Sequence, residues 1–192
     1  MTSLYKSPIL SKAFYNIMET GIILDAGQGI TLRQFNISDA VPLFNLIDQN
    51  RLHLSQFGDN TSSIYPTLES VERGINCPID PRKIRFGIWR DGWLMGTVNL
   101  RPLSEIEAEI EYWVGRQFCG KGVAKRSVSA TTSDGLTKFR VIVGKVHRDN
   151  FPSQHVLAAN GFKFKDYSQV YIWYQKTAPR RGFWPFNLLR AP

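Results

Sequence analysis

Two short stretches hold residues whose types and spacing could do chemistry. In Ala108-Glu109-Ile110-Glu111-Tyr112-Trp113-Val114, strand alternation sends Glu109, Glu111 and Trp113 to one face and Ala108, Ile110 and Tyr112 to the other. Adjacent carboxylates raise one another's affinity for protons, which moves one of them toward the working range of a general base. The same two acids could equally be exposed charges on the polar face of a strand. The second stretch, Gln117-Phe118-Cys119-Gly120-Lys121-Gly122-Val123-Ala124, follows that strand pattern and opens a helical one. Glycines at 120 and 122 let the chain turn tightly and aim several N–H groups at one point, where a helix start adds partial positive charge. Such a turn suits a diphosphate, and the plainer alternative is a strand-to-helix turn with glycines for geometry alone. No histidine neighbours Cys119 in sequence, so its amide rather than its thiol is expected to matter. His147, at a strand end, is either a further base or a solvent-facing histidine. His53 and His155 show no partner.

These residues need elements to position them. Residues 30–35 alternate as a strand, and Ser38 stands as a cap before a helix bearing Val41, Phe44, Leu46 and Ile47. Residues 51–76 mix a short helix, a turn near Gly58 and a second helix from about Thr67. Strand patterns at 84–89 and 94–100 flank Asp91-Gly92, a hairpin signature, and a third strand covers 107–114. The helix after the glycine loop is expected over 123–134, with Gly135 as its stop. A strand at 139–146, a helix at 152–159 ending in Asn160-Gly161, and a closing hairpin at 162–165 and 170–176 complete the pattern. Together they predict one α/β domain with a mixed, mostly antiparallel, twisted central sheet flanked by helices. The domain is drawn over 30–177. Residues 1–29 are an extension with a short amphipathic helix at 11–20, and 178–192 form an aromatic and basic tail.

At 192 residues and 43% hydrophobic content, the chain has room for one well-buried domain. No apolar run is long enough to cross a bilayer and no signal-peptide pattern opens the chain, so a cytoplasmic location is expected. Two cysteines, Cys77 and Cys119, are too few for a disulfide framework and lack metal-ligand spacing, so no metal is expected. The excess of 24 basic over 16 acidic residues, a net charge of +8, favours an anionic partner such as a nucleotide, RNA or an acidic surface.

The octet at 117–124 resembles the Gln/Arg-x-x-Gly-x-Gly/Ala motif by which the GNAT superfamily of N-acetyltransferases holds the pyrophosphate of coenzyme A. The strand at 108–114 is similar to the Ala-Glu-Ile-Gly-Tyr-Trp strand of its RimJ/RimL branch. Asp149-Asn150-Phe151-Pro152-Ser153 and Asn160-Gly161-Phe162 resemble that branch's later Asn-x-x-Ser and Gly-Phe elements. The resemblance spans residues 30–176. It implies acetyl-CoA or another acyl-CoA as co-substrate, with the amides of Phe118 to Val123 lining the pyrophosphate. It places the pantetheine along the strand ending at Val114, and Asn150 and Ser153 near the thiol. Gln117 and Ala124 complete the motif, and Arg116, Lys121, Lys125 and Arg126 either attract the adenosine phosphates or form a solvated helix face.

The same resemblance implies acyl transfer to an amine. A base must take the amine's proton and the departing thiolate gains from a donor. Glu109 matches the family carboxylate and is preferred as base, whereas Glu111 replaces a glycine and is read as its neighbour or an anchor for the acceptor amine. Many members carry a tyrosine as thiolate acid where this chain has Leu157. That leaves Ser153, water, Tyr167 or Tyr171, of which Ser153 comes first; it could equally be only a helix cap. The acceptor is expected to be a protein N-terminus, a peptide or a small-molecule amine. An aminoacyl-tRNA, a peptide tailored with a longer acyl chain, a non-catalytic CoA-binding module and a homodimer stay open.

Overall fold

The computed structural model describes residues 21–179; the helix expected at 11–20 and the tail beyond 179 lie outside them. Alternating strand patterns assemble into one eight-stranded sheet. Its strands are β1 (Ile23–Gly27), β2 (Ile30–Gln34), β3 (Ile84–Arg90), β4 (Trp93–Pro102), β5 (Glu107–Val114), β6 (Val141–His147), β7 (Lys163–Tyr167) and β8 (Tyr171–Thr177). The spatial order is β1-β2-β3-β4-β5-β6-β8-β7. Every neighbouring pair is antiparallel except β5 and β6. Among the described residues six α-helices flank it: α1 (Ala40–Gln49), α2 (Arg51–Ser55), α3 (Thr61–Ile64), α4 (Leu68–Asn76), α5 (Val123–Gly135) and α6 (Phe151–Ala159). This is the mixed, mostly antiparallel α/β architecture expected.

The sheet is apolar on both faces and so has two cores. Phe86, Val98, Leu100, Ile110, Ile142 and Leu157 belong to one, which α5 and α6 cover. Leu43, Ile47, Val71, Trp89 and Leu94 belong to the other, under α1 and α4. The β3–β4 turn has left-handed backbone at both central positions, φ 50° at Asp91 and 80° at Gly92, which is the geometry that matches strand twist in a two-residue hairpin.

Local chemistry departs from expectation in several places. The cap before α1 is Asn36, not Ser38. The Asn36 side chain accepts from the Ser38 amide at 2.9 Å, and Asp39 returns a bond to the Asn36 amide at 2.9 Å. Asp39 is then held by Arg33 through bonds of 2.7 and 2.8 Å. Gly135 does not stop its helix by a left-handed turn. It closes α5 against the sheet, where an added Cβ would lie 2.7 Å from Ile142 Cδ1 and 2.8 Å from Leu100 Cδ1. The sheet also starts before residue 30, because Ile23–Gly27 pairs with β2. Helix α3, whose first residue donates its amide to Asp59 Oδ1 at 2.7 Å, has no apolar period to announce it.

Candidate active site

The sheet splits in the middle. Strands β5 and β6 pair only at Glu107–Val141, Ala108–Ile142 and Glu109–Val143. Beyond that, residues 110–114 and 144–147 diverge, while β5 stays paired to β4 up to Gly96–Val114. Gly96 is required there, since a Cβ would lie 2.2 Å from the Trp113 carbonyl oxygen. The divergence opens a cleft of about 1130 Å³, lined at one end by the glycine loop and at the other by both carboxylates of β5. Sequence-distant stretches are thereby brought to one site.

At the loop end, residues 116–118 make a 3-10 turn and Gly122 caps α5 with φ 74° and no side-chain bond to the helix. Gly120 is also left-handed at φ 73°, and no protein atom lies within 4 Å of where its Cβ would be. A side chain there would meet open space rather than protein. The amides of Phe118 and Cys119 donate to Gly115 and Arg116 carbonyls at 2.8 and 3.2 Å. Local turns thus occupy two of the six expected donors. Among the described residues, no backbone acceptor pairs with the amides of Gly120, Lys121, Gly122 and Val123 at the helix start. Val114, Phe118, Val123, Ala124 and Lys125 line the cleft, whereas Gln117 and Lys121 are exposed outside its lining. The loop is anchored by the buried Asn50 at the end of α1. Asn50 Oδ1 accepts from the Arg116 amide at 2.8 Å, while its Nδ2 donates to Leu46 O at 2.8 Å.

Cys119 has a spatial neighbour that the sequence hides: its sulfur is 3.8 Å from His53 Nε2. Burial nevertheless pushes the thiol up from its ordinary value, with Arg116 opposing, and a protonated thiol is a poor nucleophile.

Helix α6 begins on the far wall. Asn150 is its cap, its Oδ1 accepting from the Ser153 amide at 3.1 Å, and Pro152 occupies the first turn. Ser153 is therefore the capped residue, not the cap, and its side chain lines the cleft with that of Asn150. Tyr112 crosses from β5 to this helix, donating its hydroxyl to Ser153 O at 3.1 Å. Burial holds the phenol well above its ordinary value, so it keeps its proton. Leu157 is fully buried on Gly144, where an added Cβ would lie 2.8 Å from Leu157 Cδ1. It offers packing and no hydroxyl.

At the other end, Glu109 and Glu111 share a face as alternation predicts, and neither stands alone. Register puts Arg101 opposite Glu109. The guanidinium binds Glu109 through Nη2 and Glu111 through Nε, the latter at 3.0 Å. Lys83 binds Glu111 from the other side. Burial pushes the Glu109 carboxyl above its ordinary value; Arg101 opposes this, Glu111 adds to it, and Lys145 opposes it weakly. The dominant cause is thus loss of water rather than the second acid. His147 is tied to its own loop, accepting from the Asp149 amide at 3.2 Å. It packs between Phe57, tilted with ring centroids 6.0 Å away, and Tyr171, edge-on at 5.9 Å. Tyr171 also carries Lys145 over its ring at 4.0 Å. Tyr167 is exposed on β7 and outside the cleft lining. Sequence reading passed over Arg101, Lys83, Asn50 and the reach of Tyr112. None of these has a local sequence signal; Arg101 is found only through the β4–β5 register.

Comparison with known proteins bears on this cleft. Residues 30–163 match the family described as acetyltransferase (GNAT) domain. YdaF of Bacillus subtilis (strain 168), provisionally named a ribosomal N-acetyltransferase, is 34% identical over 100 residues, covering 49% of this chain and 55% of YdaF. The match thus spans about half the length of that curated relative. The structure of RimL, the ribosomal L7/L12 alpha-N-protein acetyltransferase, in complex with coenzyme A superposes with a TM-score of 0.74 at 20% identity, covering 81% of this chain and 98% of RimL. The ribosomal-protein-S5-alanine acetyltransferase from Vibrio fischeri gives 0.71 at 22% identity, covering 83% and 98%.

Proposed function

This chain belongs to the acetyltransferase (GNAT) family, and on that premise we propose that it is an acyl-CoA-dependent N-acyltransferase moving acetyl from acetyl-CoA to the primary amine of a protein N-terminus. One observation carries the reading: a single cleft joins a helix start with unpartnered amides to a carboxylate pair, across a gap between two strands of one sheet.

The residues present fit the donor. The empty space over Gly120 and the unpartnered amides of Gly120, Lys121, Gly122 and Val123 would hold the pyrophosphate. The diverging residues 110–114, with Val114 at their end, and Asn150 would lie along the arm that reaches the reaction centre. When bound, acetyl-CoA supplies an activated acyl thioester. The chain's own residues do the rest. Glu109, mostly buried with its side chain 13% exposed, has its proton affinity raised by burial and takes a proton from the acceptor amine. Glu111, more open at 33%, anchors the incoming ammonium. Ser153 offers its hydroxyl on the wall where sulfur departs.

The acceptor class follows from the relatives' names, which point to ribosomal proteins. A cytoplasmic location fits such acceptors, and no helix among the described residues is long and apolar enough to cross a membrane. The net charge of +8 keeps an RNA-borne amine as an outcome of the test. The test supplies the full chain with acetyl-CoA or longer acyl-CoAs, together with purified ribosomal proteins, N-terminal serine and alanine peptides, and aminoacyl-tRNA. Released CoA thiol and acceptor mass are followed. Acetyl on a ribosomal-protein N-terminus is expected. CoA binding without acceptor-dependent thiol release would make the protein a non-catalytic binder, and modification of tRNA alone would move the acceptor class.

A further inference from the structure

We propose that Arg101 is the positioning residue of the carboxylate pair: from the neighbouring strand it locks Glu109 and Glu111 side by side, and it is the group that an acceptor ammonium must displace. The inference rests on the reading of Glu109 as base.

The geometry is specific to a guanidinium. Residues two apart on a strand project the same way about 7 Å apart, too far for one ammonium to serve both acids well. Arg101 spans them by using different nitrogens, Nη2 for Glu109 and Nε for Glu111, which a rigid planar fork permits and a lysine does not. Register fixes the arrangement, since Arg101 pairs directly with Glu109 and Asn99 with Glu111.

Exposure then decides which partner can move. The Arg101 side chain is 39% exposed against 13% for Glu109, so the guanidinium can turn to water while the carboxylate cannot. Releasing a buried carboxylate without a replacement cation is costly, so an arriving ammonium is the natural exchange partner. The neighbouring charges are arranged to survive that exchange. Glu109 faces Glu111 on its own strand and Lys145 on β6. Lys83 stays with Glu111, and Asp80 lies near enough to feel Arg101. Glu107 is paired with Lys165, His147 is held by the Asp149 loop, and Arg85 is committed to Gly74 O and Tyr65 Oη. Among the described residues, no other cation bridges both acids.

The test is an NMR titration of 13C-carboxyl glutamate in the full-length chain, with Glu109→Gln used to assign the resonance. In Arg101→Gln the Glu109 midpoint is expected to move to higher pH than in the wild type, and Arg101→Lys to return part of the shift. An unchanged midpoint in either variant overturns the inference, and the lysine variant decides if the glutamine one does not fold. With acetyl-CoA and a serine-terminated peptide, Arg101→Gln should lower kcat/KM at neutral pH by roughly ten- to a hundredfold. Its acidic limb should move upward in step with the NMR midpoint. A loss of equal size at every pH would mark a merely structural arginine and also overturn the inference. Should Glu109→Gln keep its acidic limb, the base reading itself fails. A limb lost in Glu109→Gln but unmoved in Arg101→Gln instead defeats Arg101 alone.

Discussion

The two ends of the cleft are built from different materials. The loop end is made of backbone: left-handed Gly120 and Gly122, unpartnered amides and a helix start. The carboxylate end is made of side chains from separate segments, with Lys83 before β3, Arg101 on β4, Glu109 and Glu111 on β5 and Lys145 on β6. A backbone site tolerates almost any side chain outside its glycines, whereas a side-chain site is a balance of charges in which each member changes the others. Damage should therefore be all-or-none at the loop and graded at the carboxylates.

Gly120→Glu tests the first half of that contrast and carries the largest effect. The glutamate would be strained at φ 73° and would add bulk and negative charge to a residue that lines the cleft, so CoA affinity should fall by roughly a hundredfold or more. Calorimetry on the variant decides it, and affinity close to wild type would remove the loop from the binding site.

Next in size is Glu109→Gln, expected to cost roughly a hundredfold in kcat with CoA affinity unchanged. Its stability effect has the opposite sign. A carboxyl whose folded-state proton affinity is raised above its unfolded value weakens the fold as pH climbs through the interval between the two. Removing the ionisable group should thus leave the melting temperature at neutral pH no lower than before, and should flatten its decline above the acidic range. A large loss of stability would show that the ion pair with Arg101 outweighs burial.

Glu111→Gln should act on binding, raising the acceptor KM by about tenfold with kcat little changed, because its partly open carboxylate anchors rather than abstracts. A fall in kcat matching that of Glu109→Gln would exchange their roles. Smallest is Ser153→Ala. Water can stand in for its hydroxyl, and a loss in kcat of no more than about tenfold is expected from single-turnover rates. A larger loss would make the Ser153 hydroxyl indispensable.

The same contrast explains what could be read from sequence. Glycines that need positive φ announce themselves, so the loop, its flanking strand and its helix were legible, as was the common face of Glu109 and Glu111. The partners of those acids were not, because they depend on register. Arg101 lies eight residues before Glu109, across a loop whose length did not fix which residues oppose. The Asn50 bond to Arg116 joins positions 66 apart, and no local pattern marks it. Strand β1 was missed because its five residues, Ile-Leu-Asp-Ala-Gly, are short and bounded by glycines, so its strand character comes from pairing with β2 rather than from its own pattern.

The parting of β5 from β6 has a further consequence. A sheet normally has two rims, and this one has four: besides β1 and β7, residues 110–114 and 144–147 face each other as inner rims without ladder bonds between them. Rims seek strands, and an amide-bearing guest threaded between them would complete the ladder. The protein should then be sturdier when loaded. Amide protons of residues 110–114 should exchange more slowly as acetyl-CoA is added, and the midpoint of thermal unfolding should climb with ligand concentration.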